Sequence, residues 1–268
     1  MPFLHKKIQL LSVAAFGMLL LAMAVVSVRL SMETMFAVSA LMFLTCALSA
    51  AHLFGPRNAM KMIPLAVAIG LFAEYMGTHY GWFFGEYTFT DALGPRLFDV
   101  PVVIPLMWFN ITYLSLVLGN IVLFRAPLAP SGLFHQFSSA FFCAMLVTAY
   151  DLGTDPYMVF VAKAWIMKKT DGAWFGETLQ GFVGWLMISF LIALIFNAMA
   201  RTRAPRTMPT FERKHALIPI LIYTNLMLFQ MMYGQPLETR TIAFFAMGIP
   251  LMAALFSFKS WGGNREGN

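Results

Sequence analysis

The sequence predicts an all-α fold: a polytopic membrane helix bundle of about eight transmembrane helices, with one short interfacial or re-entrant helix. Three observations point there. Hydrophobic residues make up 60% of the 268 and charged residues 11%, against roughly half and about a quarter in soluble domains. Apolar runs of the length that crosses a bilayer recur along the chain, about 20 residues being enough for a hydrocarbon core of roughly 30 Å. Lys and Arg collect in alternate loops, as one fixed orientation requires. The whole of 1–268 is expected to form a single integral-membrane domain.

The expected spans are 8–28, 34–54, 62–76, 100–124, 134–150, 182–200, 216–232 and 241–258, the third and fifth being short. Lys6 and Lys7 precede the first run as in a signal peptide, but no convincing small-residue cleavage site follows and further spans do, so this segment is expected to be retained. Cys46 and Cys143 each fall within a span, which supports neither a disulfide framework nor a CxxC motif.

The formal charge of +6 reports orientation before it reports a partner, and nucleic acid is not expected. An N-terminus inside the cell places Lys6, Lys7, Arg57, Lys61, Arg125, Arg201, Arg203, Arg206, Arg213, Lys214, Lys259 and Arg265 in the cytoplasm, 12 of the 18 basic residues. Both termini are then cytoplasmic, in a bacterial or archaeal cytoplasmic membrane. The basic cluster at 201–215 is expected to anchor this topology and touch anionic lipid headgroups. Of the 12 carboxylates only Glu212 and Glu266 share that side. The others include two concentrations, 74–99 and 151–177, which mark the working parts.

In the first, Gly70, Glu74, Gly77, Thr78 and Gly81 recur at three- and four-residue spacing and so share one helix face, with little bulk around a single carboxyl. Glu74 either caps an interfacial helix end, pairs with Arg96, or serves chemistry, since ionisable groups at membrane depth are costly and commonly functional. The second, "TAYDLGTDPYMVFVAKAW", reads as a helix stop and restart. Gly153 ends the helix carrying Asp151, and Asp155 before Pro156 fits an N-cap. The run 157–167 that follows has 11 residues, too few to span, and is the expected interfacial or re-entrant helix. "GWFFGEYTF" at 81–89 and "GAWFGETLQ" at 172–180 share aromatics before Gly-Glu, a short echo of the kind membrane-interface aromatics produce by chance.

Several chemistries lack their devices. His5, His52, His79, His135 and His215 form no HxxxH or HExxH pair, so a histidine-ligated di-iron or zinc site is not expected. Neither GxGxxG nor GxxxxGK[ST] occurs. What remains is carboxylates beside aromatics at a membrane interface, a set suited to proton chemistry on a lipophilic substrate.

The stretch "EYMGTHYGWFFGEYTFTDALGPRLFDVPVVIPLMWF" at 74–109, with "DLGTDPYMV" and "GFVGW" at 181–185, resembles the carotenoid biosynthesis integral-membrane family, which includes carotenoid 1,2-hydratases and bisanhydrobacterioruberin hydratase. The resemblance covers roughly 60–200, which it implies is the catalytic core. Glu74, Phe84, Gly85, Tyr87, Leu93, Gly94, Val100, Pro101, Pro105, Leu106 and Trp108 match the family pattern. Phe83 stands where that pattern has proline, and Gly181 where it has asparagine before Phe182, Gly184 and Trp185.

The resemblance implies addition of water to the terminal (1,2) double bond of an acyclic carotenoid ψ-end group, without a cofactor. Protonation of the alkene would give a tertiary carbocation, which water captures. Glu74 is the expected proton donor, because a carboxyl withdrawn from water favours its uncharged form. Asp151 or Asp155 is the expected acceptor of the water proton, and these roles remain exchangeable. Trp82, Phe84, Tyr87, Trp108, Asn110, Tyr150, Trp165, Trp174 and Trp185 are the expected substrate-lining residues, the aromatic faces stabilising the cation. No metal is expected in this scheme. The partners it implies are a lipophilic carotenoid, water and membrane lipid, and it is compatible with association with other carotenoid-pathway enzymes. Two alternatives stay open: an intramembrane prenyltransferase-like enzyme with Asp151 and Asp155 on a metal, and a proton-coupled transporter or non-catalytic membrane protein using Glu74. The single poor DxxxD speaks against the first, and the absence of a long internal repeat speaks against the second.

Overall fold

Eight α-helices account for most of residues 2–28, 32–200 and 213–261, the residues that the computed structural model describes. They are α1 (Pro2–Val28), α2 (Met32–Leu53), α3 (Pro56–Tyr80), α4 (Val103–Phe124), α5 (Leu133–Phe160), α6 (Leu179–Met199), α7 (Leu217–Tyr233) and α8 (Glu238–Ser260). Seven are long and apolar enough to cross a membrane; α7, with 17 residues, is shorter. A helix is the economical solution here because it satisfies every interior backbone group within one segment. The chain is thus an all-α, polytopic membrane protein.

α4 is the axis. It is the most buried of the apolar helices and packs against α2, α3, α5, α6, α7 and α8. One apolar core runs through the bundle, from Leu19 and Cys46 through Phe109, Tyr113 and Val147 to Phe196, Tyr223 and Met247.

Two connections at the same end of the bundle form a small cap. The α3–α4 link contains β1 (Tyr87–Phe89), a single 3-10 turn at Asp91–Leu93, and the hairpin of β2 (Arg96–Leu97) with β3 (Val100–Pro101). The α5–α6 link contains β4 (Trp165–Met167), which pairs antiparallel with β1, Tyr87 opposite Met167 and Phe89 opposite Trp165. α3 ends at Gly81, whose φ of +67° is the left-handed turn that glycine takes readily, and its N–H bonds back to the Gly77 carbonyl at 2.9 Å.

The expected helix stop at Gly153 does not occur. α5 runs unbroken to Phe160, so Asp155 is not an N-cap, and 157–167 is not a separate interfacial or re-entrant helix. Its first part finishes α5 and its last three residues are β4. Pro156 inside a helix lacks the N–H that would meet the Leu152 carbonyl. That carbonyl instead accepts the indole N–H of Trp174 at 2.9 Å, so the cost of the proline is offset from outside the helix. The third expected span, 62–76, is likewise longer, extended at both ends within α3. The basic cluster at Arg201, Arg203 and Arg206, with Glu212, Arg265 and Glu266, lies outside the described residues.

Candidate active site

Glu74 sits on the inner face of α3 and receives two hydrogen bonds. The Trp108 indole N–H donates to Oε1 at 2.8 Å, and the Tyr87 hydroxyl donates to Oε2. The glycine spacing explains why both donors fit. A Cβ on Gly70 would lie 2.6 Å from the Trp108 ring, and one on Gly77 would lie 3.0 Å from the Tyr87 hydroxyl. One glycine a turn before Glu74 thus admits the indole, and one a turn after admits the phenol. Glu74 neither caps a helix end nor pairs with Arg96, which bonds to Asp91 at 2.8 Å.

The sheet pair performs a matching task on both sides. Pleating turns Tyr87, Phe89, Trp165 and Met167 toward one cavity, while Thr88 and Ile166 face away. From β1, Tyr87 reaches Glu74; from β4, the Trp165 indole N–H reaches Asp155 Oδ1 at 3.0 Å. Burial and the adjacent Glu74 carboxyl push the Tyr87 phenol well above its ordinary range, so it stays a hydrogen-bond donor.

The cavity measures about 90 Å³ and is lined by Glu74, Asp155 and Glu177 together with Phe84, Tyr87, Trp108, Tyr150, Trp165, Trp185 and apolar side chains. Its wall is a ring stack: Trp108 lies on Trp185 with centroids 4.4 Å apart, and on Phe84 at 5.9 Å. No Lys, Arg or His is among the lining residues that are described. The carboxyls are held instead by neutral N–H and O–H donors, leaving a site whose field favours a positive charge.

A groove of about 840 Å³ adjoins this cavity, running between α1, α2, α4, α5 and α7. The two spaces share Ile104, Met107, Tyr150, Thr154 and Met158. A small polar end is therefore continuous with a large, mainly apolar body.

Of the expected site residues, Glu74, Asp155, Phe84, Tyr87, Trp108, Tyr150, Trp165 and Trp185 are brought together on the cavity. Asp151 lies one turn from Asp155 on the same face of α5, fully buried and off the cavity lining, and among the described residues neither of its carboxyl oxygens has a hydrogen-bond partner. Trp82 is half-exposed beside Tyr80 and Phe83. Asn110 is buried in α4, its amide nitrogen 3.7 Å from Met107 Sδ, and Trp174 is the brace on Leu152. None of these three lines the cavity. Phe83 has φ +61°, a conformation closed to the proline that the family pattern has there.

Sequence reasoning placed Glu177 in an acidic stretch without giving it a role. The structure places it beside Asp155 on the wall of the same cavity, and a Cβ on Gly181 would lie 2.7 Å from its Oε1. The available signal was the Gly-Glu echo, yet its first copy, Glu86, forms an exposed ion pair with Lys168 at 3.2 Å. Among the described residues, no three His, Cys, Asp or Glu side chains converge as a metal site would require. A diphosphate would meet carboxyls in the cavity and no basic side chain.

The model of a family described as carotenoid biosynthesis protein matches residues 30–255. That range is wider than the 60–200 covered by the motifs. Bisanhydrobacterioruberin hydratase of Haloarcula japonica is 32% identical over 140 residues, which are 49% of this chain and 43% of the relative. The aligned stretch thus spans under half of that relative's length. No solved structure matches the chain significantly.

Proposed function

This chain belongs to the carotenoid biosynthesis protein family, and from that premise we propose that it is a hydratase, adding water to the terminal double bond of an acyclic carotenoid ψ-end group. The observation that carries this reading is the convergence of two aromatic donors on Glu74 in a cavity that also presents Asp155. The name of the Haloarcula relative supports the same reaction type.

Glu74 is assigned as the acid. Its proton goes to the CH carbon of the alkene, the π pair forms the new C–H bond, and the positive charge falls on the tertiary carbon. Tyr87 and Trp108 then stabilise the carboxylate left behind, and interactions of this kind, stronger in the transition state than before it, accelerate the step. The faces of Trp108, Trp185 and Phe84 meet the cation. Water bonds to the tertiary carbon and releases its extra proton to Asp155, giving a tertiary alcohol. Passage of that proton back to Glu74 across the cavity restores the site, so the net change is one water added.

The two spaces divide the substrate. About 90 Å³ suits an end group and water, since a water molecule takes roughly 30 Å³ of liquid volume. The 840 Å³ groove is assigned to the polyene body. The positive-inside charge distribution supports cytoplasmic termini, which puts the cap and the carboxyls toward the outer face.

The test is mass spectrometry of pigments from a lycopene-accumulating host expressing the chain. Pigment heavier by one or two waters is expected. Unchanged pigment, with the protein present in the membrane, contradicts the reading for this class of polyene.

A further inference from the structure

Glu177 lies outside the membrane-spanning helices, in the loop between β4 and α6, yet it is only 3% exposed. Three features put it there. Trp174, three residues earlier, pins the loop to α5 through the Leu152 carbonyl. Gly172 lets the loop close on itself, since a Cβ at that position would fall 1.8 Å from the Glu177 carbonyl oxygen. Gly181 leaves the space that the Glu177 carboxyl fills. The carboxyl then meets Asp155 on the cavity wall, while Oε2 is buried with no hydrogen-bond partner among the described residues.

Two buried carboxyls side by side on one small cavity, with no basic residue in its described lining, cannot both be ionised without strong repulsion, so the pair holds a proton between them. The titratable groups around Glu177 are Asp155, Asp151 and Tyr150 on α5, with Glu74 on α3 and Tyr87 on β1 across the cavity. None of these is basic. We propose that Glu177 is a positioning residue that keeps this proton and donates it in a hydrogen bond to Asp155, holding Asp155 ionised and aimed to accept the proton of the attacking water. This rests on the hydratase reading above. Burial, followed by the charge and hydrogen bond of Asp155, pushes Glu177 up to about 9. The bond is therefore present at neutral pH and is lost as pH rises through about 9.

The experiment compares pH profiles of hydration in membranes containing the full native chain, Glu177→Gln or Glu177→Ala. Glu74, as the acid, gives every variant a common alkaline limb, and the native chain should show a second, further decline as pH rises through about 9. Glu177→Gln keeps a donor that does not titrate, so it should retain most of the neutral activity while the second decline vanishes. Glu177→Ala should lose about tenfold or more, the size expected when a hydrogen bond to a charged group is removed. The same second decline in native chain and Glu177→Gln, or full activity in Glu177→Ala, overturns the proposal while leaving the hydratase reading in place. No hydration by the native chain at any pH overturns the hydratase reading instead. An infrared titration of the same membranes then tests the proton itself: subtracting the Glu177→Gln spectrum from the native one should leave a protonated-carboxyl band that is lost through about pH 9, and its absence from the difference overturns the assignment.

Discussion

Trp174 donates its indole N–H to the carbonyl of Leu152 at 2.9 Å, the carbonyl that Pro156 leaves without a helical partner. A local defect in α5 thereby becomes the docking point of a loop 22 residues further along the chain. That docking is what carries Glu177 to Asp155.

Trp174→Phe should keep the ring and lose the bond. Leaving a buried carbonyl unsatisfied costs about 1–3 kcal/mol, here paid locally by the loop. Proteolysis or hydrogen exchange between residues 168 and 178 should accelerate while the bundle persists, and activity should fall with Glu177 displaced. Unchanged protection of that loop would show that the brace does not hold it.

Gly70→Ala tests the close approach of α3 and α4. Its methyl would meet Trp108 at 2.6 Å, and overpacking of this kind costs about 1–3 kcal/mol. The expected result is normal membrane insertion with hydration sharply reduced, because the Trp108 indole is driven from Glu74. Hydration by membranes carrying the otherwise native Gly70→Ala chain checks this; unaltered activity would contradict the packing argument.

Met158→Trp should plug the junction between cavity and groove, since Met158 lines both. Conversion of a full-length acyclic carotenoid should then fall well below that of a short isoprenoid bearing the same end group. Equal losses for the two substrates would place the polyene body elsewhere.

Topology is open to labelling, because Cys46 and Cys143 are both buried. A cysteine at Asp171, on the cap side, should react with a membrane-impermeant maleimide applied to intact cells. Reaction only after permeabilisation would invert the proposed orientation.

The bundle was legible in the sequence because apolar length is a direct consequence of bilayer thickness. The setting of Glu74 was partly legible as well: the Gly70, Glu74 and Gly77 spacing announces a close approach, although not that Trp108 and Tyr87 make it. The continuity of α5 was hidden, since Gly153 and Pro156 read locally as a break, and the group that repairs it, Trp174, lies in a different segment. Pairing of β1 with β4 joins stretches about 80 residues apart, beyond the reach of local periodicity. Glu86 and Glu177 follow the same aromatic-Gly pattern, and only tertiary contacts send one to Lys168 at the surface and the other to Asp155.

The central claim is that Glu74 protonates a polyene end and water completes the addition. Conversion of an acyclic carotenoid by native and Glu74→Gln membranes in heavy water, followed by mass spectrometry, tests it most directly. The account predicts one deuterium bound to the carbon next to each new tertiary alcohol with the native chain, and a loss of about 10²- to 10⁴-fold in Glu74→Gln, the usual worth of a general acid. Hydrated product formed by Glu74→Gln at the native rate, or native product without carbon-bound deuterium, would contradict it.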